Sequence, residues 1–322
     1  MGPLKFIPIL KRIRWGGRRL GELLGKSIGP EADYAESWEI CDHGADQSVV
    51  ASGPYTGWTL RRLIEQRPKE LLGRQAGFSL FPLLIKFLDA SDLLSVQVHP
   101  NDRQARTYAP HAMGKTEAWI ILAANPGSSL FAGLKPGIDE HQLRGAIARG
   151  SVAECLHRIE VAPGDCLLIP SGTVHTIGGG ILLAEIQQSS DLTFRLFDWN
   201  RTETDGKPRE LHVEQALACI DFSRGPVEKV TTTAKVQTGQ TVEDLVHCPF
   251  FNIRRFKIDA PLTLAADDRC HILLGLSGNL TCSTSQGQQS VSTGETVLIP
   301  ADGLPAELKP QPSAVVLEVW LD

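Results

Sequence analysis

Apolar residues in this chain fall in short runs broken by Gly, Pro, Asn and Asp, such as Ile120-Ile121-Leu122 and Cys166-Leu167-Leu168-Ile169. Runs of that length predict strands, so the chain reads as β-rich. Three stretches follow a helical period instead. Residues 59–73 place Leu60, Leu63 and Ile64 on one face, with Pro68 opening a second short turn that ends near Gly73. Residues 139–157 carry Leu143, Ile147, Val152 and Leu156 and predict a helical insertion interrupted at Gly150. Val213 to Ile220 predicts a third helix.

One pattern occurs twice. Pro163-Gly164-Asp165-Cys166-Leu167-Leu168-Ile169-Pro170 is echoed 130 residues later by Thr293-Gly294-Glu295-Thr296-Val297-Leu298-Ile299-Pro300. Gly-Asp/Glu, an apolar run and Pro describe a turn, a buried strand and a stop. His175 follows the first copy by five residues, and Pro305 holds that place after the second. Two related β units are expected. The polar stretch Thr231 to Thr241 reads as a linker or exposed strand between them. The expected domains are therefore residues 1–235, carrying the chemistry, and a smaller metal-free unit over 236–322.

Composition narrows the class without choosing a function. A net charge of -5 gives no electrostatic ground for nucleic-acid or anionic-membrane binding, and the basic residues of Lys11-Arg12-Ile13-Arg14 and Arg18-Arg19 are expected as solvated surface. No apolar run approaches the ~18–20 residues of a membrane span. Leu4–Leu10 contains Lys5 and Pro8 and lacks a signal-peptide cleavage pattern. Seven scattered cysteines, with no Cys-x-x-Cys pair, suit reduced thiols. The expectation is a cytoplasmic protein; oligomeric state is not legible.

The candidate chemistry lies in two strand-like segments and one carboxylate. Alternation puts Ser95, Gln97 and His99 on one face of a strand, so Gln97 and His99 can point two donors at one ion. Glu117 stands at the start of another strand, and His175 follows a Pro-Ser-Gly turn that can aim it inward. Two imidazoles, a carboxylate and an amide oxygen suit Zn²⁺ and tolerate Mn²⁺, Fe²⁺ or Co²⁺, with positions left open for catalysis. A rival His-x-Glu pattern at His212-Val213-Glu214 opens a helix, which is the wrong context. Charged residues also interrupt apolar strands: Lys86, Glu185 and Arg195, with Lys115 two residues before Glu117. Such charges are costly inside a fold unless paired or facing a cavity. Ser189-Ser190-Asp191 is expected to turn a hairpin that brings Glu185 and Arg195 together. Cations around a metal suit a polyanionic substrate such as a sugar phosphate.

These segments resemble the type I phosphomannose isomerases, zinc-dependent cupins that interconvert mannose 6-phosphate and fructose 6-phosphate. The resemblance rests on Trp15-Gly16-Gly17, Glu36–Ile40, Pro82–Leu88, Leu94–Asp102, Gly114–Glu117, Ile169–His175 and Glu185–Trp199, in order over most of residues 15–220. It implies a mainly β cupin, a double-stranded β-helix or jelly-roll barrel with helical insertions, joined to a second, smaller cupin-like unit. It also implies one Zn²⁺ per chain on Gln97, His99, Glu117 and His175, a phosphorylated hexose substrate, and an active site holding Arg195, Glu185, Lys115 and Lys86. Two departures stand out: Ile177 where longer relatives carry tyrosine, and Gly114 where some carry histidine.

Aldose–ketose isomerisation through a cis-enediol needs a base, a stabiliser of the oxyanion and a grip on phosphate. Glu185 is the first candidate for the base and Lys115 the second, since burial moves either pKa toward neutrality. Arg195 is expected to stabilise enediolate charge or bind substrate oxygens, and Lys86 to add positive potential. Two alternatives share the same residues: a non-catalytic sugar-phosphate-binding cupin, and a metal-dependent cupin oxygenase.

Overall fold

The apolar runs are strands covered on both faces. A computed structural model, describing residues 1–202 and 206–321, shows a mainly β chain. It opens with β1 (Leu4–Ile7), β2 (Ile9–Gly17), α1 (Arg19–Glu22), β3 (Tyr34–Ile40) and the two-residue strands β4 (Asp42–His43), β5 (Asp46–Gln47) and β6 (Val49–Val50). Helices α2 (Leu60–Gln66) and α3 (Pro68–Leu72) precede β7 (Leu83–Ala90), β8 (Val96–Val98), α4 (Asp102–Ala105), β9 (Glu117–Ala124) and β10 (Ser129–Leu134). Then come α5 (Glu140–Arg149), β11 (Leu156–Glu160), β12 (Cys166–Ile169), β13 (His175–Ile177), β14 (Ile181–Gln188), β15 (Phe194–Phe197) and α6 (Val213–Cys219). The rest is β16 (Lys235–Gln237), β17 (Gln240–His247), β18 (Asn252–Ile258), β19 (Leu262–Leu264), β20 (His271–Thr284), β21 (Gly287–Ser292), β22 (Thr296–Ile299) and β23 (Ala306–Trp320).

Local chemistry explains the helices. Thr59 caps α2 by accepting from the Arg62 N–H, and Pro68 opens α3. Asp139 and Gln142 form a capping box on α5, which Gly150 ends in the left-handed region. The expected helix to residue 157 is therefore shorter: a 3₁₀ turn over Val152–Cys155 follows, and Leu156 already begins β11.

Strands β12-β9-β14-β7-β3-β2 form a six-stranded sheet and β11-β10-β13-β8-β15 a five-stranded one. Leu88, Trp119, Ile121 and Leu183 of the first meet Leu130, Ala132 and Ile177 of the second in one core, so the two sheets face each other. They remain separate hydrogen-bonded sheets, so the jelly roll is not a closed barrel. The opposite face of the six-stranded sheet presents Ile85, Phe87, Ile120 and Ala184 to α2, α3 and the C-terminal strands. Burial on both sides is why these strands read as unbroken apolar runs. Lys86, Glu185 and Glu117 take the parity of Leu88, Leu183 and Ile121, which turns them toward the five-stranded sheet.

The C-terminal strands form a ten-stranded sheet, with β19 and β21 branching from β23 and β20. It also takes in β1, which pairs with β22 (Leu4 opposite Leu298) and with β6 (Phe6 opposite Val50). The echoed segments are β12 and β22, each entered through a glycine in the left-handed region, Gly164 (φ 95°) and Gly294 (φ 78°). The polar stretch at 231–241 includes the exposed strand β16 and its pairing with β17.

Two expectations are corrected. Ser189-Ser190-Asp191 does not turn a hairpin: β14 lies in the six-stranded sheet and β15 pairs with β8 in the other, so the turn crosses between sheets. Glu185 and Arg195 consequently approach from opposite sides. The early basic residues are not all solvated surface, because Arg19 reaches the fully buried Asp89 at 2.8 Å.

Candidate metal centre and active site

Direct cross-strand partners share a face of a sheet. On the six-stranded sheet, register aligns Trp38, Lys86, Glu185 and Trp119 across β3, β7, β14 and β9. On the five-stranded sheet it aligns His175, Gln97 and Arg195 across β13, β8 and β15. Two polar rows thus line the space between the sheets, in a cavity of about 320 Å³ that Lys86, Gln97, Lys115, Glu185 and Arg195 all border.

Against Gln97 and Lys115 of that lining, His99, Glu117 and His175 converge, at most 1% exposed. Their ligand atoms lie within 4.8 Å of one another, the one such group among the described residues. His99 Nδ1 lies 3.0 Å from the Leu192 carbonyl and His175 Nδ1 2.9 Å from that of Thr173. A carbonyl only accepts, so each Nδ1 carries the hydrogen and each Nε2 keeps its lone pair. Those Nε2 atoms face Glu117, at 3.6 Å from Oε2 and 3.3 Å from Oε1. Burial pushes both imidazoles down, His175 to about 4 and His99 well below its ordinary value, the latter with help from Lys115 and His175. They are neutral at pH 7, the form that binds a cation.

Both oxygens of Glu117 are buried; Oε1 accepts no hydrogen bond, and Oε2 is met by the Lys115 ammonium at 2.8 Å. Two neutral imidazole nitrogens and a buried carboxylate with one oxygen free of hydrogen bonds fit a divalent metal, with carbonyl acceptors fixing the rings from behind. Gln97 joins the group through its nitrogen: Nε2 lies 3.3 Å from His175 Nε2, so ligation through its oxygen needs the amide turned over.

Lys115 Nζ sits 2.8 Å from Glu117 Oε2 and 3.2 Å from His99 Nε2. Burial opposes its charge, but Glu117 and Glu185 outweigh burial and raise its pKa. That corrects the expectation of a lysine tuned toward neutrality. Lys86, also buried, lies 3.3 Å from Glu36 and 3.6 Å from Glu185 Oε1. Burial again opposes the charge, and Glu36, Glu185 and Asp191 raise its pKa. Arg195 projects from the other sheet, with Nη1 donating to the Glu210 carbonyl at 2.8 Å.

Residues 4–119 match the family described as phosphomannose isomerase type I, catalytic domain. The chain is 35% identical to mannose-6-phosphate isomerase ManA of Bacillus subtilis over 92% of its own length and 93% of that protein. The chain belongs to the type I phosphomannose isomerase family. A second relative, the mannose-6-phosphate isomerase of Streptococcus mutans, is 35% identical over 89% of this chain and 88% of its own. The crystal structure of the mannose 6-phosphate isomerase from Bacillus subtilis superposes with a TM-score of 0.91 at 29% identity, covering 99% of both chains. The apo mannose 6-phosphate isomerase of Salmonella typhimurium, 16% identical over 100% of each chain with a TM-score of 0.75, shares the fold.

Five of the eight sequence-derived residues thus border one cavity, and the other three, His99, Glu117 and His175, cluster behind it in contact with Gln97 and Lys115. Sequence reasoning gave no role to Trp119, Glu36, Asp191 or Arg209, which line the same cavity. Trp119 was within reach, being two residues beyond Glu117 on a strand. Arg209 lies outside any regular element, where no periodicity marks it.

Proposed function

We propose that this protein is an aldose–ketose isomerase that interconverts mannose 6-phosphate and fructose 6-phosphate, with one Zn²⁺ held by His99, Glu117, His175 and the oxygen of Gln97. Family membership and the two opposed polar rows support the reading, and the observation that carries it is the buried Glu117 carboxylate between two neutral imidazoles, next to a charged cavity. When bound, the metal supplies positive charge for the hydroxyl and carbonyl oxygens at C1 and C2.

The chain's own groups then divide the work. Glu185 moves the proton between C1 and C2 through Oε1, the oxygen left without a hydrogen bond. Lys86, 3.6 Å away, sets a positive charge beside that oxygen. Lys115, held cationic, serves as a charge and hydrogen-bond donor rather than a base. Arg195 enters from the opposite sheet to bind phosphate or enediolate oxygens, a task suited to a guanidinium. No described helix is long and apolar enough to cross a membrane, in keeping with a cytoplasmic metabolic role.

Purified protein loaded with Zn²⁺ should convert mannose 6-phosphate in a coupled assay and lose that activity to a chelator. Bound metal without turnover would leave a sugar-phosphate-binding cupin. Oxygen consumption with iron would leave an oxygenase.

A further inference from the structure

The two oxygens of Glu185 are not equivalent. Oε2 accepts the indole N–H of Trp119 at 3.0 Å, whereas Oε1 is buried, takes no hydrogen bond and faces Lys86. Trp119 is fully buried and stands directly opposite Glu185 in the β9–β14 register. Its ring meets His175 edge-on, with centroids 5.4 Å apart and planes at 73°. One side chain therefore touches both a candidate metal ligand and the candidate proton carrier. A core position calls only for apolar volume; a buried indole N–H additionally demands an acceptor, and the acceptor here is the carboxylate.

We infer that Trp119 is a positioning residue for the isomerisation: its N–H ties down Glu185 Oε2 so that Oε1 alone is presented to the substrate carbons. The inference rests on Glu185 being the proton carrier. Trp119 is neutral throughout and acts through the carboxylate it holds. The charged groups around the carboxylate are Lys86 of β7, with Glu36 of β3 and Asp191 beyond it, and Lys115 ahead of β9. His175 lies across the indole ring. Losing the N–H thus frees one oxygen to rotate among fixed charges.

The test compares three metal-loaded proteins with the parent: Trp119→Phe, the isostere with benzothienylalanine at 119, which keeps the ring and loses the N–H, and Glu185→Gln. Loss of a hydrogen bond to a charged acceptor should lower kcat about tenfold or more in both position-119 proteins. KM should stay within about twofold, and the acid limb of the kcat profile should rise by about one pH unit, since a donor to the anion is gone. Metal content should match the parent. If Trp119→Phe fails to fold, the isostere decides. An isostere protein with parental kcat and an unmoved acid limb would overturn the inference and leave Trp119 as packing. Full turnover in Glu185→Gln would instead remove Glu185 from the chemistry, a failure of the underlying reading that the third protein detects separately.

Discussion

His271, at the start of β20, should act as a charge-dependent clamp in the C-terminal sheet. Its Nδ1 lies 2.8 Å from Glu318 Oε1 on β23 and its Nε2 3.1 Å from Asp267 Oδ1 in the preceding loop. Both partners are carboxylates, so the imidazolium can donate from both nitrogens. Arg254 lies 3.7 Å from the other Glu318 oxygen, and Arg269 2.7 Å from the other Asp267 oxygen. Burial works against the charged ring, but Glu318 and then Asp267 outweigh it and raise the His271 pKa. A group whose folded pKa is raised contributes stability that is complete below the unfolded value of about 6.5 and is lost as pH climbs through the folded value. The perturbation is His271→Gln, which keeps a polar side chain and removes the charge. A hydrogen bond between charged groups contributes about 1.5–3 kcal/mol where buried, as at Glu318, and under about 1 kcal/mol where solvent reaches it, as at Asp267. The variant should therefore be about 2–3 kcal/mol less stable near pH 6, or about 3–4 °C lower in Tm for a chain of this length. The deficit should shrink toward pH 9. Thermal melts of both proteins from pH 5.5 to 9 measure the difference, which cancels histidines common to both. A deficit constant across that range would refute the clamp, showing that His271 contributes shape and not charge.

Three further outcomes follow from the same contacts. His99→Ala should lose bound metal, and turnover with it, because one of the two imidazole donors at Glu117 is gone; unchanged metal content by elemental analysis would dismantle the centre. Arg195→Ala should keep its metal and lose about a hundredfold or more in kcat/KM, the scale for a guanidinium gripping a reacting anion; parental kinetics would remove Arg195 from the mechanism. Gly73→Ala should destabilise by about 2 kcal/mol or more, since an added Cβ would meet the Asp268 carbonyl at 2.3 Å from a backbone at φ +57°; a melt within 1 °C of the parent would contradict the packing.

What the sequence disclosed was local. Gln97 and His99 two apart on a strand, the Pro-Ser-Gly turn before His175 and the Thr59 cap with Pro68 behind it are decided by neighbours within a few positions, and the structure follows them. The echo at Pro163 and Thr293 held for the same reason, since a turn and a buried strand are short-range objects. The errors concern partners chosen at a distance. Turn chemistry at Ser189-Ser190-Asp191 says that the chain reverses and cannot say onto which sheet, so the hairpin was misread. Arg19 and Asp89 lie 70 residues apart, and no pattern in either segment announces the other. Lys115 is the instructive case. Its burial was foreseen, yet the sign of the shift depended on Glu117 two positions along the chain and on Glu185 from another strand. Charge pairing outweighed desolvation, and only assembled strands supply that comparison.

The pairing of β1 with β22 has a consequence for how the protein comes to be made. Phe6 and Ile7 can pair with β6 once residue 50 is made, but Leu4 finds its partner, Leu298, at the far end of the sequence, so on that side the first strand must wait for most of the chain before its hydrogen bonds can close. Until then it is an open edge with an apolar face, the state most exposed to pairing with another chain. The catalytic sheets, whose strands all lie before residue 200, can be complete by that time. A nascent chain should therefore hold its metal ligands in place while the β22-facing edge of β1 is still unmatched, and a fragment cut near residue 235 would carry that unmatched edge permanently.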